Sequence, residues 1–336
     1  MNILVYSFND KIGDGLQKVT FLQTLKNIYP ESKIYYTTTH TTTFKDKLNP
    51  LVKDTIFEII ENNGIQSSIS NLFRKNTKLE NQYFDLIIDL QKVVLRTLSL
   101  KKIPHKYFFS SCANFFFSDF KNKYNLKFKD VYIEQFYFNI LSTLQNKVIK
   151  EIPNIRLPKN IKFSFNNEEI KKNIAISPGA GNKIRQWDFE KYLMIAHKLQ
   201  KNGYNIFFFL GPDEKDLLNI CLKNGFNCPE WKNGELISND ITFTMGLAKQ
   251  MSCLLCNDSG TAWMFEFVGV KTLKIFGVTN EKNFSRPGFS KTIQIKDYGF
   301  KNLRDFPLNI YENILREFLK SIDANLLFLS FFDMYN

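Results

Sequence analysis

MNILVYSFNDKIGDGLQKVTFLQTLKNIYP, residues 1–30, decides how the chain folds. Asn2 to Phe8 is a strand of mostly apolar residues, and Asn9 to Gly15 is a short polar turn. Leu16, Val19, Leu22 and Leu25 then recur at helical spacing, with Gln17, Lys18, Gln23 and Lys26 facing away. Pro30 ends the helix, and Lys33 to Thr37 reads as a second strand. Thr55 to Ile60 and Asp85 to Leu90 are further apolar runs, bounded like parallel strands buried on both faces. Strands alternating with helices argue for an α/β, doubly wound sheet. The Thr-rich run 37–43 (TTTHTTT) reads as a loop without chemical signature, with His40 exposed.

Between Val148 and Asn173 the rhythm loosens, with Pro153, Pro158 and an NNEE cluster, which marks a linker. The α/β pattern then restarts. Ile174 to Ser177 is a strand, Asp188 caps a helix whose face is Phe189, Tyr192, Leu193, Ala196 and Leu199, and Tyr204 to Leu210 is the next strand. Gly211 to Glu214 turns into another helix that closes near Gly225. Cys253 to Cys256 is a strand leading into NDSGTAW and a further helix, and Thr272 to Phe276 is the strand after it. The expected organisation is a first domain over 1–155, a second over 165–305, and a C-terminal helix and tail over 306–336. That last helix has Ile310, Ile314, Leu315, Phe318 and Leu319 on one face and is expected to pack back toward the first domain.

At 336 residues the chain has room for two such domains. Five cysteines, an odd number, exclude a complete disulfide framework and fit a reducing cytoplasm. The CxxC of Cys253 and Cys256 lies inside a buried strand, so structural thiols are expected there and no metal site. The N-terminus lacks the basic leader of a signal peptide, and no run approaches the ~20 apolar residues that span a bilayer. The net charge of +12 favours anionic partners, and nucleotide diphosphates, acidic glycolipids, anionic membranes and nucleic acid all qualify. No nucleic-acid-binding motif accompanies it. The basic, aromatic stretch Lys101 to Lys129 is the candidate for peripheral contact with an anionic membrane; it also reads as a core strand pair with a solvated lysine face.

Three constellations carry chemistry. Gly13-Asp14-Gly15 follows the first strand, where open α/β sheets bind ligands; Asp14 there is either a general base for an attacking hydroxyl or a helix cap. No GxGxxG follows, which argues against a nicotinamide site. SPGAGNKIRQW, residues 177–187, puts Gly179 in a small loop whose backbone N–H groups can approach phosphate, with Lys183 and Arg185 adding charge. It lacks the ending of a P-loop. Asn257-Asp258-Ser259-Gly260-Thr261 stands at a strand-to-helix junction, and a helix N-terminus suits a diphosphate; Asp258 can instead hold sugar hydroxyls or cap the helix.

Taken in order, these blocks resemble glycosyltransferase family 9, the heptosyltransferases of lipopolysaccharide core assembly. The resemblance rests on KIGDGLQKVTFLQTLKNIYP, YFDLIIDLQ (83–91), PGAGNKIRQW, GYNIFFFLGPDE and NDSGTAWMFEFVGVKTLKIFG, from about residue 1 to 280. It implies a GT-B fold: two Rossmann-like domains facing across a cleft, the acceptor bound mainly by the first and a nucleotide-diphosphate sugar, ADP-linked in this family, by the second. It implies inversion without a metal or other cofactor, with Asp14 as base and Gly13 and Gln91 near the acceptor. Gly179, Lys183 and Arg185 would support the diphosphate, and Asp258, Ser259, Gly260 and Thr261 would form the donor loop. Two departures concern donor and acceptor choice. Trp263 stands where the family often has His, and the polar Gln17-Lys18 replaces small or apolar residues. Two alternatives stay open: a UDP- or GDP-sugar transferase with another glycan acceptor, or a non-catalytic sugar-nucleotide-binding protein. Glu214 is a further candidate, for a ribose contact.

Overall fold

A computed structural model describes residues 1–73, 79, 81–158, 170–279 and 281–322. Part of the expected linker (159–169) and the end of the C-terminal tail (323–336) lie outside the described residues. The chain divides into two compact units, Met1–Arg156 and Leu157–Asn336.

The first unit runs β1 (Asn2–Ser7), α1 (Ile12–Ile28), β2 (Lys33–Thr38), α2 (Asn49–Val52), β3 (Glu58–Ile60), α3 (Ile69–Phe73), β4 (Phe84–Asp89), α4 (Val94–Lys101), β5 (His105–Ser110) and α5 (Ile133–Gln145). Its strands are all parallel, in the order β3-β2-β1-β4-β5. Register places Val5 between Tyr36 and Ile88. Leu4, Tyr6, Phe84, Ile87 and Phe108 belong to one core cluster, and the central strands β1 and β4 are the most completely buried, as expected for a parallel sheet flanked by helices.

The second unit runs β6 (Asn173–Ser177), α6 (Phe189–Lys201), β7 (Asn205–Phe208), α7 (Lys215–Lys223), the hairpin β8 (Trp231–Lys232) and β9 (Glu235–Leu236), α8 (Ile241–Ala248), β10 (Cys253–Asn257), α9 (Gly260–Phe267), β11 (Lys271–Phe276), α10 (Glu281–Phe284), β12 (Ser290–Gln294) and α11 (Leu308–Ile322). Its main sheet is parallel in the order β12-β11-β10-β6-β7. Asp188 caps α6, accepting from the Glu190 N–H at 3.2 Å, and Gly203 ends the helix at φ +82°, a conformation that favours glycine.

Two expectations change. The helix of the opening stretch starts at Ile12, so Gly13, Asp14 and Gly15 are its first turn and not a loop. Gly15 allows a close approach there: the buried Leu48 side chain would have to shift to admit a Cβ. The stretch 101–129 supplies one strand, β5, and no strand pair; beyond it Ala113, Asn114 and Phe115 are all left-handed (φ 47°, 53° and 66°). Within the second unit, the C-terminal helix buries its apolar face in the core. Tyr311 stacks on Trp187 with ring centroids 4.5 Å apart, and Leu315, Phe318 and Leu319 continue the contact, because Trp187 offers a large flat apolar surface to cover. All five cysteines are free and buried.

Tyr311→Ala should therefore destabilise the second unit by about 3–5 kcal/mol, the cost of removing a buried aromatic. Urea unfolding measures it; a loss under about 1 kcal/mol would mean the helix is dispensable to that core.

Candidate active site

In the second unit, sheet order reverses between β6 and β10, and ligands of open α/β sheets bind at such points, outside the strands' carboxyl ends. Gly179, Lys183 and Arg185 follow β6; Asp258, Ser259, Gly260 and Thr261 follow β10. Fully buried Asn257, the last residue of β10, ties the two loops together. Its Oδ1 accepts from the Trp187 N–H (2.9 Å) and the Tyr192 hydroxyl (3.2 Å), and its Nδ2 donates to the Pro178 carbonyl (2.6 Å). Arg185 reaches across with Nη1 3.4 Å from Asp258 Oδ2. Asp258 is buried, Arg185 is exposed, and an anion arriving here meets a guanidinium already aimed at the β10 loop. Ser259 caps α9, accepting from the Ala262 N–H (3.4 Å), so the alternative of Asp258 as the cap does not hold. Gly260 is exposed, and a Cβ there would meet nothing within 4 Å.

Gly179 is buried, and its missing side chain admits Glu214: a Cβ would come within 2.3 Å of Glu214 Oε1. Burial raises the Glu214 carboxyl above its ordinary value. Burial also lifts neighbouring Glu230 to about 7, with the Glu214 charge adding to it. A cavity of about 320 Å³ is lined by Pro178, Lys183, Gln186, Trp187, Glu214 and Arg304, among others. A second, of about 290 Å³, shares Lys183, Gln186 and Arg304 and adds Gly277, Val278 and Lys301. Lys301 and Arg304 bear no motif, and only folding brings them to Lys183. Trp263 is buried, its ring 4.3 Å from Lys274 Nζ and stacked with Phe267, which makes it part of the packing of α9.

In the first unit the order reverses between β1 and β4. Gly13 and Asp14 follow β1, and Gln91 follows β4. Asp14 is exposed in the first turn of α1. The helix cap is Lys11, with no side-chain bond, so Asp14 is not spent on capping. Gln91 is half-buried, and its N–H donates to Asp89 Oδ1 (2.8 Å). The Thr-rich run is less bland than its composition. Thr39 and Thr42 are buried, Thr39 on the Tyr6 hydroxyl (2.9 Å) and Thr42 on Asp10 (2.9 Å); His40 is exposed, edge-on to Phe8. Among the described residues no group of three or more His, Cys, Asp or Glu is arranged to hold a metal ion.

The model of glycosyltransferase family 9 (heptosyltransferase) matches residues 72–305. The chain belongs to glycosyltransferase family 9. It is accordingly a glycosyltransferase, with the α/β fold of parallel sheets that its GT-B structural neighbours share. A family 9 glycosyltransferase from Veillonella parvula superposes with a TM-score of 0.61 at 16% identity, over 95% of this chain and 97% of that one. The E. coli heptosyltransferase WaaC, solved with ADP, gives 0.63 at 12% identity, over 96% and 100%. E. coli ADP-heptose lipopolysaccharide heptosyltransferase II gives 0.55 at 16%, over 96% and 99%. No curated protein matches the chain by sequence.

One ionisable group of this glycosyltransferase was not singled out from sequence. Asp89, at the end of β4, is fully buried and raised from 3.8 to about 6 by that burial. Hydrogen bonds from Thr97 (2.7 Å), Ser110 (3.0 Å) and the Gln91 N–H favour its ionised form and offset only part of the shift. The folded chain thus holds this proton more tightly than the unfolded one. The contribution favours folding at low pH and is lost as pH rises from about 4 to about 6. Across that window the wild type should lose up to about 3 kcal/mol relative to Asp89→Asn. Urea titrations at intervals between pH 4 and 7 test this; a difference independent of pH would exclude the shift.

Proposed function

We propose that the chain transfers a heptose-like sugar from an ADP-linked donor to a hydroxyl of a lipopolysaccharide-core or related surface glycan, with inversion and without a metal. The observation that carries this reading is the pair of loops after β6 and β10, joined by Asn257, with Arg185 set against Asp258 and a capped helix start beside them. That arrangement is built for a diphosphate: backbone N–H groups and cations converge where negative charge will grow. The names of the similar structures, an enzyme solved with ADP and an ADP-heptose transferase, support the choice of donor.

In this mechanism Asp14 takes the proton from the acceptor hydroxyl as its oxygen bonds to the anomeric carbon. The bond from that carbon to the diphosphate oxygen breaks, and the electron pair leaves with ADP. Attack opposite to departure inverts the centre, as with the single base of inverting glycosidases. Lys183, Arg185 and the α9 N-terminus stabilise the departing charge, a task a divalent ion performs elsewhere. Asp258 and Thr261 hold donor hydroxyls, Gly179, Ser259 and Gly260 let the backbone meet the diphosphate, and Gly13 and Gln91 border the acceptor.

Asp14→Asn should lower turnover by at least about 10²-fold while leaving donor affinity nearly intact. Thermal shift with ADP-, UDP- and GDP-linked sugars reads the donor side, since a bound donor raises apparent stability. A larger shift with a UDP- or GDP-sugar would transfer the reading to that donor. Full activity in Asp14→Asn would remove the assigned base.

The acceptor's lipid gives the first unit a reason to meet a membrane on its cytoplasmic side. Lys106, Lys121, Lys123, Lys127 and Lys129 are exposed, and Phe116 is 80% exposed beside the left-handed turn. Among the described residues no helix is long and apolar enough to cross a membrane, so the contact proposed is peripheral. Binding to anionic liposomes should weaken with salt and fall further when Lys121, Lys123 and Lys127 become Glu. Equal binding to neutral liposomes would rule out an electrostatic contact.

A further inference from the structure

The turn that carries Asp14 is anchored by two opposite charges sunk in the first unit. Asp10 lies just before that turn, between β1 and α1, and Lys18 lies one helical turn beyond Asp14 on α1. They form an ion pair whose side chains are 0% and 5% exposed. Asp10 also accepts from the hydroxyls of Tyr36 (2.8 Å), Thr42 (2.9 Å) and Ser7 (3.3 Å). Its main chain is fixed as well: the N–H donates to Thr41 (3.4 Å), and the carbonyl accepts from Thr43 (3.2 Å). Tyr137 of α5 is the other neighbour of Lys18. Burial alone would depress the Lys18 ammonium, but Tyr137, Asp10 and Asp14 outweigh it and hold it above the ordinary lysine value.

Stability does not account for such a pair. Removing two charges from water costs several kcal/mol per ion, and an apolar pair of similar volume is often as stable or more so. What the pair does supply is directional fixing. Helix α1 starts on Lys11 without a side-chain cap, so the chain's entry into the helix depends on contacts like these. Asp14, at position three of that helix and exposed, takes its direction from that entry.

We propose that Asp10 and Lys18 are positioning residues for glycosyl transfer, their buried ion pair holding segment 9–15 in one geometry so that the Asp14 carboxylate is presented outward. The inference rests on the reading of Asp14 as the base. Neither residue touches the reacting atoms, and the polar Lys18, a departure from the family's pattern, acquires a role.

The decisive variant is Asp10→Asn/Lys18→Met in the full chain, which removes both charges and leaves neither stranded. Its Tm should equal or exceed that of the wild type, and its affinity for ADP should be unchanged. With ADP-heptose and a truncated lipopolysaccharide-core acceptor, KM should stay within about threefold while kcat falls by at least about tenfold, the mark of a misplaced base. Amide hydrogen exchange at residues 11–16, which needs no substrate, should accelerate at least about tenfold at this unchanged Tm. A folded double variant with wild-type kcat, or with unchanged exchange at 11–16, overturns the proposal; so does a double variant that fails to fold. Asp14→Asn run alongside separates the two readings. If it stays active, the base assignment itself has failed and positioning falls with it. If it is inactive while the double variant works normally, only the positioning role is lost.

Discussion

Parallel strands cannot be joined by hairpins, and the layout of both main sheets follows from that constraint. Each crossover must carry a helix over a face of the sheet, so the loops leaving the carboxyl ends are the segments free to vary. Where strand order reverses, between β1 and β4 and again between β6 and β10, neighbouring loops diverge to opposite faces and leave a crevice. The residues with chemical capacity sit at those two crevices. Asp14 and Gln91 flank the first, and Arg185 and Asp258 flank the second. Their types suit the tasks proposed for them: an exposed carboxylate for a proton, and a cation with a helix start for a diphosphate.

Both units hold buried polar groups that a stability argument alone would not select. In the first, Asp10 and Lys18 are joined by Tyr36, Thr42 and Ser7. In the second, Glu266 of α9 pairs with Lys274 of β11 at 2.8 Å and accepts from Thr272 and Ser290, while Arg286 donates to the Glu266 carbonyl. Asn257 does the same for the β6 and β10 loops with three neutral hydrogen bonds. Polar contacts are directional and apolar packing is not, so these groups fix orientation where packing would fix only proximity.

The opening strand and helix, the second-unit rhythm, the Asp188 cap and the Gly203 stop were all legible in the sequence, because each is a local preference of a few neighbouring residues. So were the loops that bear Gly179, Lys183, Arg185 and Asp258 to Thr261, through motif order. The start of α1 is not legible locally, because a polar segment with two glycines resembles a turn, whereas Gly15 packs inside the helix against Leu48. The C-terminal helix was recognisable as amphipathic, but which surface it covers depends on Trp187, more than a hundred residues earlier.

By itself, then, the sequence determined the α/β class, the two-unit plan and the loops that hold chemistry, since periodicity, punctuation and motif order are written along the chain. Only tertiary structure decided that Lys301 and Arg304 join Lys183, that Thr42 serves Asp10, that Asp89 is deep enough to hold its proton to about pH 6, and that Lys18 is buried with a partner. Those properties depend on which distant residues exclude water from a given atom. Exclusion of water is a property of the assembled sheet and helices, and no local stretch of residues encodes it.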